Sequence, residues 1–245
     1  MNEPVPSRYY SAAFLVVFVC SGFCFTACKE TNQTPSPDQA KRLLKLRGYN
    51  FDEKSFSAAA AASDEIAVNA FLIAGMNPNA KDETTGGSAL ISAATRGDLE
   101  MVNTLLLGGA DVNQKDEKRF TALLRALQNR REDVADILVA RPELDVNAQG
   151  EAGSTALIGF VSRDREATVE NLLNRGANAN LQDGDGDTAL NIAVQQGKAK
   201  VVTMLLNKGA DPNIKNKLGG TPLMWAAVFG HEDAAKLLLN RGADA

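Results

Sequence analysis

Cysteine is nearly missing from this chain. Its three copies, Cys20, Cys24 and Cys28, all fall in the first 28 of 245 residues. From Lys29 onward there is none, so the remainder needs no disulfide in any compartment and offers no thiol chemistry. Histidine is as scarce, with His231 the single copy. A lone His without Cys cannot build a typical zinc site. A Ser-His-Asp set is possible on paper, but no nucleophile motif accompanies it. No phosphate-cradling Gly loop or dinucleotide fingerprint stands between a strand and a helix. A basic stripe is also lacking: 26 Lys and Arg face 30 Asp and Glu, for a net charge of −4. Nucleic acid is therefore not an expected partner. The acidic balance also argues against docking onto anionic lipid by charge. Together these absences predict a protein that is not an enzyme, with no cofactor and no metal.

A long apolar run is lacking too. Residues 12–27 are almost wholly apolar, broken only by Ser21, Gly22 and Thr26. That is short for a membrane span, which needs ~20 apolar residues. Arg8 and the terminal amine precede it, which is the layout of a secretory signal peptide over residues 1–27. Phe25-Thr26-Ala27-Cys28 resembles a bacterial lipobox, in which small residues precede a Cys that is lipidated. Thr26 and Ala27 fit it, whereas Phe25 stands where Leu is usual. The resemblance implies lipidation at Cys28. An uncleaved signal anchor is the alternative, and either reading leaves the rest of the chain tethered outside the cytoplasm. Residues 28–37 then read as the lipidated Cys and a flexible tether, polar and with Pro35 and Pro37. Lys29, where an Asp would signal inner-membrane retention in enteric bacteria, favours the outer membrane, facing the periplasm.

What is present is a repeat. Asn79, Asn113, Asn147, Asn180 and Asn213 are spaced 34, 34, 33 and 33 residues apart. Phe56, Leu90, Leu123, Leu157, Leu190 and Leu223 run in step, spaced 34, 33, 34, 33 and 33. Two series with one period predict a stacked solenoid. In the last unit, Thr221 can cap a helix that Pro222 opens. Gly230 ends that helix, and a second carries Ala235, Leu238 and Leu239 at i, i+3, i+4. Gly242 then supplies a C-terminal cap. Such a pair cannot bury its stripe alone, so neighbouring units must stack.

Thr221-Pro222-Leu223 and Ala226 resemble the ankyrin motif Thr-Pro-Leu-His-x-Ala, with Met224 in the His place. Thr188-Ala189-Leu190, Thr155-Ala156-Leu157, Thr121-Ala122-Leu123 and Ser88-Ala89-Leu90 are weaker matches. No copy has the motif's His, so its hydrogen bonds must be replaced or absent. The resemblance implies a mainly α fold, an ankyrin solenoid of about six helix-turn-helix units with hairpin turns. They are placed at 55–82, 83–116, 117–149, 150–183, 184–216 and 217–245, after a capping helix at 38–54. In the first unit the Ala run at 58–62 is expected to form the first helix. Repeat three inserts a residue at Arg141-Pro142-Glu143-Leu144 and lacks the Gly that ends the second helix. Repeat four carries Phe160-Val161 where small residues are usual. Asp183-Gly184-Asp185-Gly186-Asp187 looks at first like a calcium loop, but Val194 holds the place of its twelfth-position carboxylate. The hairpin turn is the expected reading.

The resemblance also implies protein binding through hairpin tips and the exposed face of the first helices. Carried over residue by residue, that surface holds Thr85, Thr95 and Arg96 in repeat two. Repeat three gives Lys118, Phe120, Gln128 and Asn129, and repeat four Glu151, Ser162 and Arg163. Repeat five gives Asp185, Asp187, Gln195 and Gln196, and repeat six Leu218, Val228 and Phe229. Phe120 is expected to face outward as an anchor, whereas Phe229 is open to either contact or packing, and Trp225 is expected to pack between repeats. The expected function is a non-catalytic, membrane-tethered, monomeric module that binds a periplasmic or envelope protein. A self-associating envelope scaffold is the alternative, joined through Leu237 and the last helix.

Overall fold

The computed structural model describes residues 35–83 and 85–244. The signal segment, Cys28 and most of the tether lie outside the described residues. Those that are described form a stack of helices, thirteen in number among them.

The first, α1 (Pro37–Leu46), starts at the last residue of the stretch read as tether. Ser36 and Gln39 form a reciprocal capping box there, and Pro37 takes the first turn, where its missing N–H has no partner. The helix ends at Leu46 with Arg47 as its C-cap, inside the 38–54 segment read as the cap. A short loop leads to α2 (Glu53–Ala61), which begins before the Ala run and is capped by Asp52. Then α3 (Glu65–Ile73) closes the first repeat and packs on α1.

The later repeats supply first helices α4 (Ala89–Arg96), α6 (Ala122–Gln128), α8 (Ala156–Ser162), α10 (Ala189–Gln195) and α12 (Pro222–Phe229). Their second helices are α5 (Leu99–Leu107), α7 (Glu132–Val139), α9 (Glu166–Asn174), α11 (Ala199–Asn207) and α13 (Glu232–Leu239). The Thr of each motif is a helix cap. Thr121, Thr155, Thr188 and Thr221 accept hydrogen bonds from the N–H groups of Leu124, Ile158, Asn191 and Met224. The apolar residue two positions on is the core contact: Phe56, Leu90, Leu123, Leu157 and Leu190 are buried. In repeat five Asn191 takes the His place. It replaces the absent His by accepting from the Thr188 N–H and hydroxyl at 3.2 and 2.6 Å.

The Asn series is a staple between neighbours. The Oδ1 atoms of Asn79, Asn113, Asn147, Asn180 and Asn213 accept from the N–H groups of Asp111, Asp145, Asn178, Asp211 and Asp244, at 2.7, 2.7, 2.7, 2.8 and 2.9 Å. The last four also donate from Nδ2 to the carbonyls of Glu143, Gly176, Gly209 and Gly242. Only a short amide can accept from one strand of the next turn and donate to the other. A fixed chemistry at a fixed place in the unit therefore appears in the sequence as a fixed spacing.

A second staple joins the first helices. The carbonyls of Ala60, Thr95, Leu127, Val161 and Gln195 point at Arg96, Arg131, Arg163, Lys198 and His231 of the following repeat. Helix C-termini leave carbonyls without partners and carry partial negative charge, so a donor or cation there stabilises the stack. His231, the single His, continues this series. The irregular third repeat is held by arginines as well. Arg175 donates to the carbonyls of Val139 and Arg141 at 2.5 and 2.9 Å, where a Gly turn is missing. Arg165 bridges Asp136 and Glu132. Its hydrogen bond to Asp136 pushes the guanidinium pKa up. The large Phe160-Val161 pair is fully buried in α8. Gly159 beside it leaves room for Leu127, whose Cδ1 lies 3.0 Å from where a Cβ would stand.

Candidate protein-interaction surface

The hairpin tips of repeats three, five and six are shaped by the Asp or Asn that opens them. Asp116 accepts from the Phe120 N–H, Asp183 from the N–H groups of Asp185 and Asp187, and Asn216 from those of Leu218 and Gly220. These Asx turns push the residues between them into water. At the tips, Lys118, Glu151, Asp185 and Leu218 are exposed, and Lys118 and Glu151 meet across neighbouring hairpins at 3.6 Å. Gln128, Asn129, Ser162, Gln196, Val228 and Phe229 are exposed at the ends of the first helices, and Thr85 on its hairpin.

Four of the expected contact residues are used within the fold to different degrees. Arg96 and Arg163 are half-buried, donating to Ala60 and Leu127 of the preceding repeat. Their side chains remain 33% and 25% exposed. Asp187 is a correction. It is 9% exposed and accepts from Asn216 Nδ2 at 2.9 Å, tying repeat five to repeat six. Phe120 is a second correction, because its side chain turns inward and is 7% exposed. The cause is Gly150 in the next hairpin: a Cβ there would stand 2.6 Å from Phe120 Cδ1. Arg125 covers the ring from the other side, its Cζ 4.3 Å from the centroid, and Arg125 is itself fixed by Asp116 at 2.7 and 2.5 Å. The sequence signal was Gly150, an unusual Gly where the other hairpins carry Asp or Asn.

The last repeat differs. Leu218 is 82% exposed, Val228 69% and Phe229 51%. Phe229 lies parallel to Trp225 at 6.0 Å and to His231 at 6.1 Å. Trp225 is half-buried against Gly220, and its Nε1 has no partner. The stack of three rings was not legible in the sequence as a unit, although Trp225 and Phe229 are one helical turn apart. Offset-stacked rings are held rigidly and present a flat apolar face. Sequence and structure together therefore give a groove that is polar along repeats two to five and aromatic at repeat six. Asp183, read at first as a possible calcium ligand, has its Oδ1 engaged by two backbone N–H groups.

The family model for ankyrin repeats matches residues 56–150 and 157–245. Among solved structures, an ankyrin repeat domain from Acinetobacter baumannii AYE is 32% identical, with a TM-score of 0.67, covering 79% of this chain and 100% of that one. A second ankyrin repeat protein is 26% identical, with a TM-score of 0.65, covering 78% of this chain and 98% of the other. The sequence has no match to a curated protein. Repeats of this kind are typical protein-interaction modules without catalysis of their own. The matched segments cover most of the chain, and the stapled helix pairs supply the geometry: this protein belongs to the ankyrin repeat family.

Proposed function

We propose that this chain is a lipid-anchored ankyrin module that holds a partner protein at the cell envelope, facing the periplasm, through the groove formed by its hairpins and first helices. The observation that carries the binding reading is the exposed Leu218, Val228 and Phe229 cluster backed by Trp225. Aromatic anchors on rigid supports, surrounded by polar residues, are the usual centres of binding energy. Lys118, Gln128, Asn129, Asp185 and Gln196 form the polar surround, with Arg96 and Arg163 at its floor. Phe120 and Asp187 are not part of it. The anchoring half rests on Thr26-Ala27-Cys28 behind an apolar segment, and Lys29 favours the outer membrane.

Capture from the native envelope tests the binding half. The parent should retain one protein that Phe229→Ala, or Leu218→Ala with Phe229→Ala, releases at least tenfold faster. Undiminished capture by the double variant would move the interface elsewhere. A fatty-acid probe tests the anchor: label on the parent and none on Cys28→Ser is expected. Label on neither would leave an exported or signal-anchored protein. A self-associating scaffold is the second reading, favoured by the bare Met224 and Leu239 on the last repeat. Light scattering that shows a mass rising with concentration, and reversed by Leu239→Lys, would select it.

A further inference from the structure

We infer that α1 is a second, electrostatic membrane contact: its outer face docks onto an anionic phospholipid surface and lays the N-terminal end of the stack against the bilayer. The whole chain is acidic, but its charge is not evenly spread. In α1, Ala40 and Leu44 are buried on the first repeat. At 3.6 residues per turn, the opposite face carries Lys41, Lys45, Arg42 and Leu46, with Asp38 the one carboxylate among them. No ion pair holds Lys41, Arg42 or Lys45 among the described residues. Elsewhere many cations are engaged, Arg47 with Asp64, Arg125 with Asp116, Arg163 and Arg165 with Glu132, and those without an ion pair, such as Lys81, Lys208 and Lys215, are spread along the stack rather than gathered on one helix face.

The same face ends in exposed apolar groups. Leu46 is 86% exposed, and Phe51 is exposed with Lys41 Nζ 4.9 Å from its ring centroid. Free cations beside an exposed Leu and Phe match an interfacial surface: the cations meet headgroup phosphates and the apolar groups enter the boundary. Charge complementarity selects an anionic bilayer as the occupant. Chain length agrees with it. The seven residues from Cys28 to Thr34 span at most about 25 Å when extended, so an anchored Cys28 keeps α1 within reach of the headgroups. This last point rests on the anchoring reading; the charged face does not.

The test therefore uses the unit from Pro35 to Ala245, which is compact by itself and holds its whole described core, and leaves Cys28 out. Sedimentation with vesicles of phosphatidylglycerol and phosphatidylcholine at low salt should retain the protein, and vesicles of phosphatidylcholine alone should not. Lys41→Gln with Arg42→Gln and Lys45→Gln should weaken retention on the order of 100-fold, at about fivefold per cation. Lys215→Gln with Lys217→Gln, on a distant hairpin, should bind as the parent does. Unchanged circular dichroism shows that the variants are folded. Equal retention on neutral vesicles, parent-like retention of the triple variant, or equal loss in the distant control would each overturn the proposal. Fatty-acid labelling of Cys28 can fail without changing any of these outcomes.

Discussion

At one end of the stack, α1 covers the first repeat with Ala40 and Leu44 and turns its lysines and arginine to water. At the other, α12 and α13 leave Met224, Val228 and Leu239 bare, and Leu223 only half-buried. The two ends are built from the same repeat pattern. Leu223 is the partner in register of Leu90, Leu123, Leu157 and Leu190, all of which are buried. What separates them is whether a neighbouring helix packs on them among the described residues. The comparison teaches that an apolar position in a repeat is a potential for burial, which only a neighbour converts into stability.

Six substitutions, taken in four steps, break or sharpen that contrast. The interior sets the scale. Phe120→Ala, in the hairpin that opens repeat three, should cost about 3–5 kcal/mol in urea unfolding, as for other buried Phe residues. A midpoint equal to the parent's would show that the ring faces water after all. Next comes the covered end. Leu44→Ala should cost about 2–4 kcal/mol and detach α1, whereas Leu239→Ala at the bare end should cost less than about 1 kcal/mol. Equal losses at both ends would erase the comparison.

The hydrogen-bonded staples come third. Asn147→Ala removes an acceptor at 2.7 Å and a donor at 3.2 Å between two repeats, and should cost about 1–2 kcal/mol. Asn213→Ala makes the same change beside the bare end, where fewer contacts depend on it, and should cost less. Hydrogen exchange of the Asn178 amide against that of Asp244 would read the difference locally.

The smallest effect is a charge effect at the covered end. Burial, together with the hydrogen bond that protonated Glu65 donates to Glu100 and the negative charges of Glu100 and Asp98, holds the Glu65 carboxyl above its usual range. The folded state therefore binds this proton more tightly than the unfolded state, so stability falls as pH rises from the ordinary carboxylate range through the raised value. Glu65→Gln should remove that slope. At neutral pH it should gain no more than about 0.5 kcal/mol, and at pH 4 nothing. An unchanged slope between pH 4 and 6 would mean that Glu65 shares no proton across the first two repeats.

Much of this was legible beforehand because repetition multiplies a weak signal. The Asn and Leu series gave the period, and the Thr caps gave the helix starts. The surface was only partly legible. Leu218 and Phe229 lie where the motif places them, and Phe120 does not, although all three come from the same alignment. Its direction depends on Gly150, thirty residues away, and on Arg125 held by Asp116. Asp187 is lost from the surface in the same way, to Asn216 of the next repeat. Arg96 and Arg163 read as surface cations in the sequence, but both are turned partly inward by the carbonyl ends of the preceding repeat's first helices.

The sequence by itself determined the unit: its length, its caps, its apolar stripe and the requirement that copies stack. These are local properties, fixed by propensity, capping chemistry and spacing within some thirty residues. The tertiary structure decided which side chains each copy gives to its neighbour and which it leaves to water. That depends on pairs such as Phe120 with Gly150 and His231 with the Gln195 carbonyl, which are far apart in the chain and adjacent only after stacking. It also decided that the unpaired charge of α1 gathers on one face, because packing of Ala40 and Leu44 fixes the rotation of that helix.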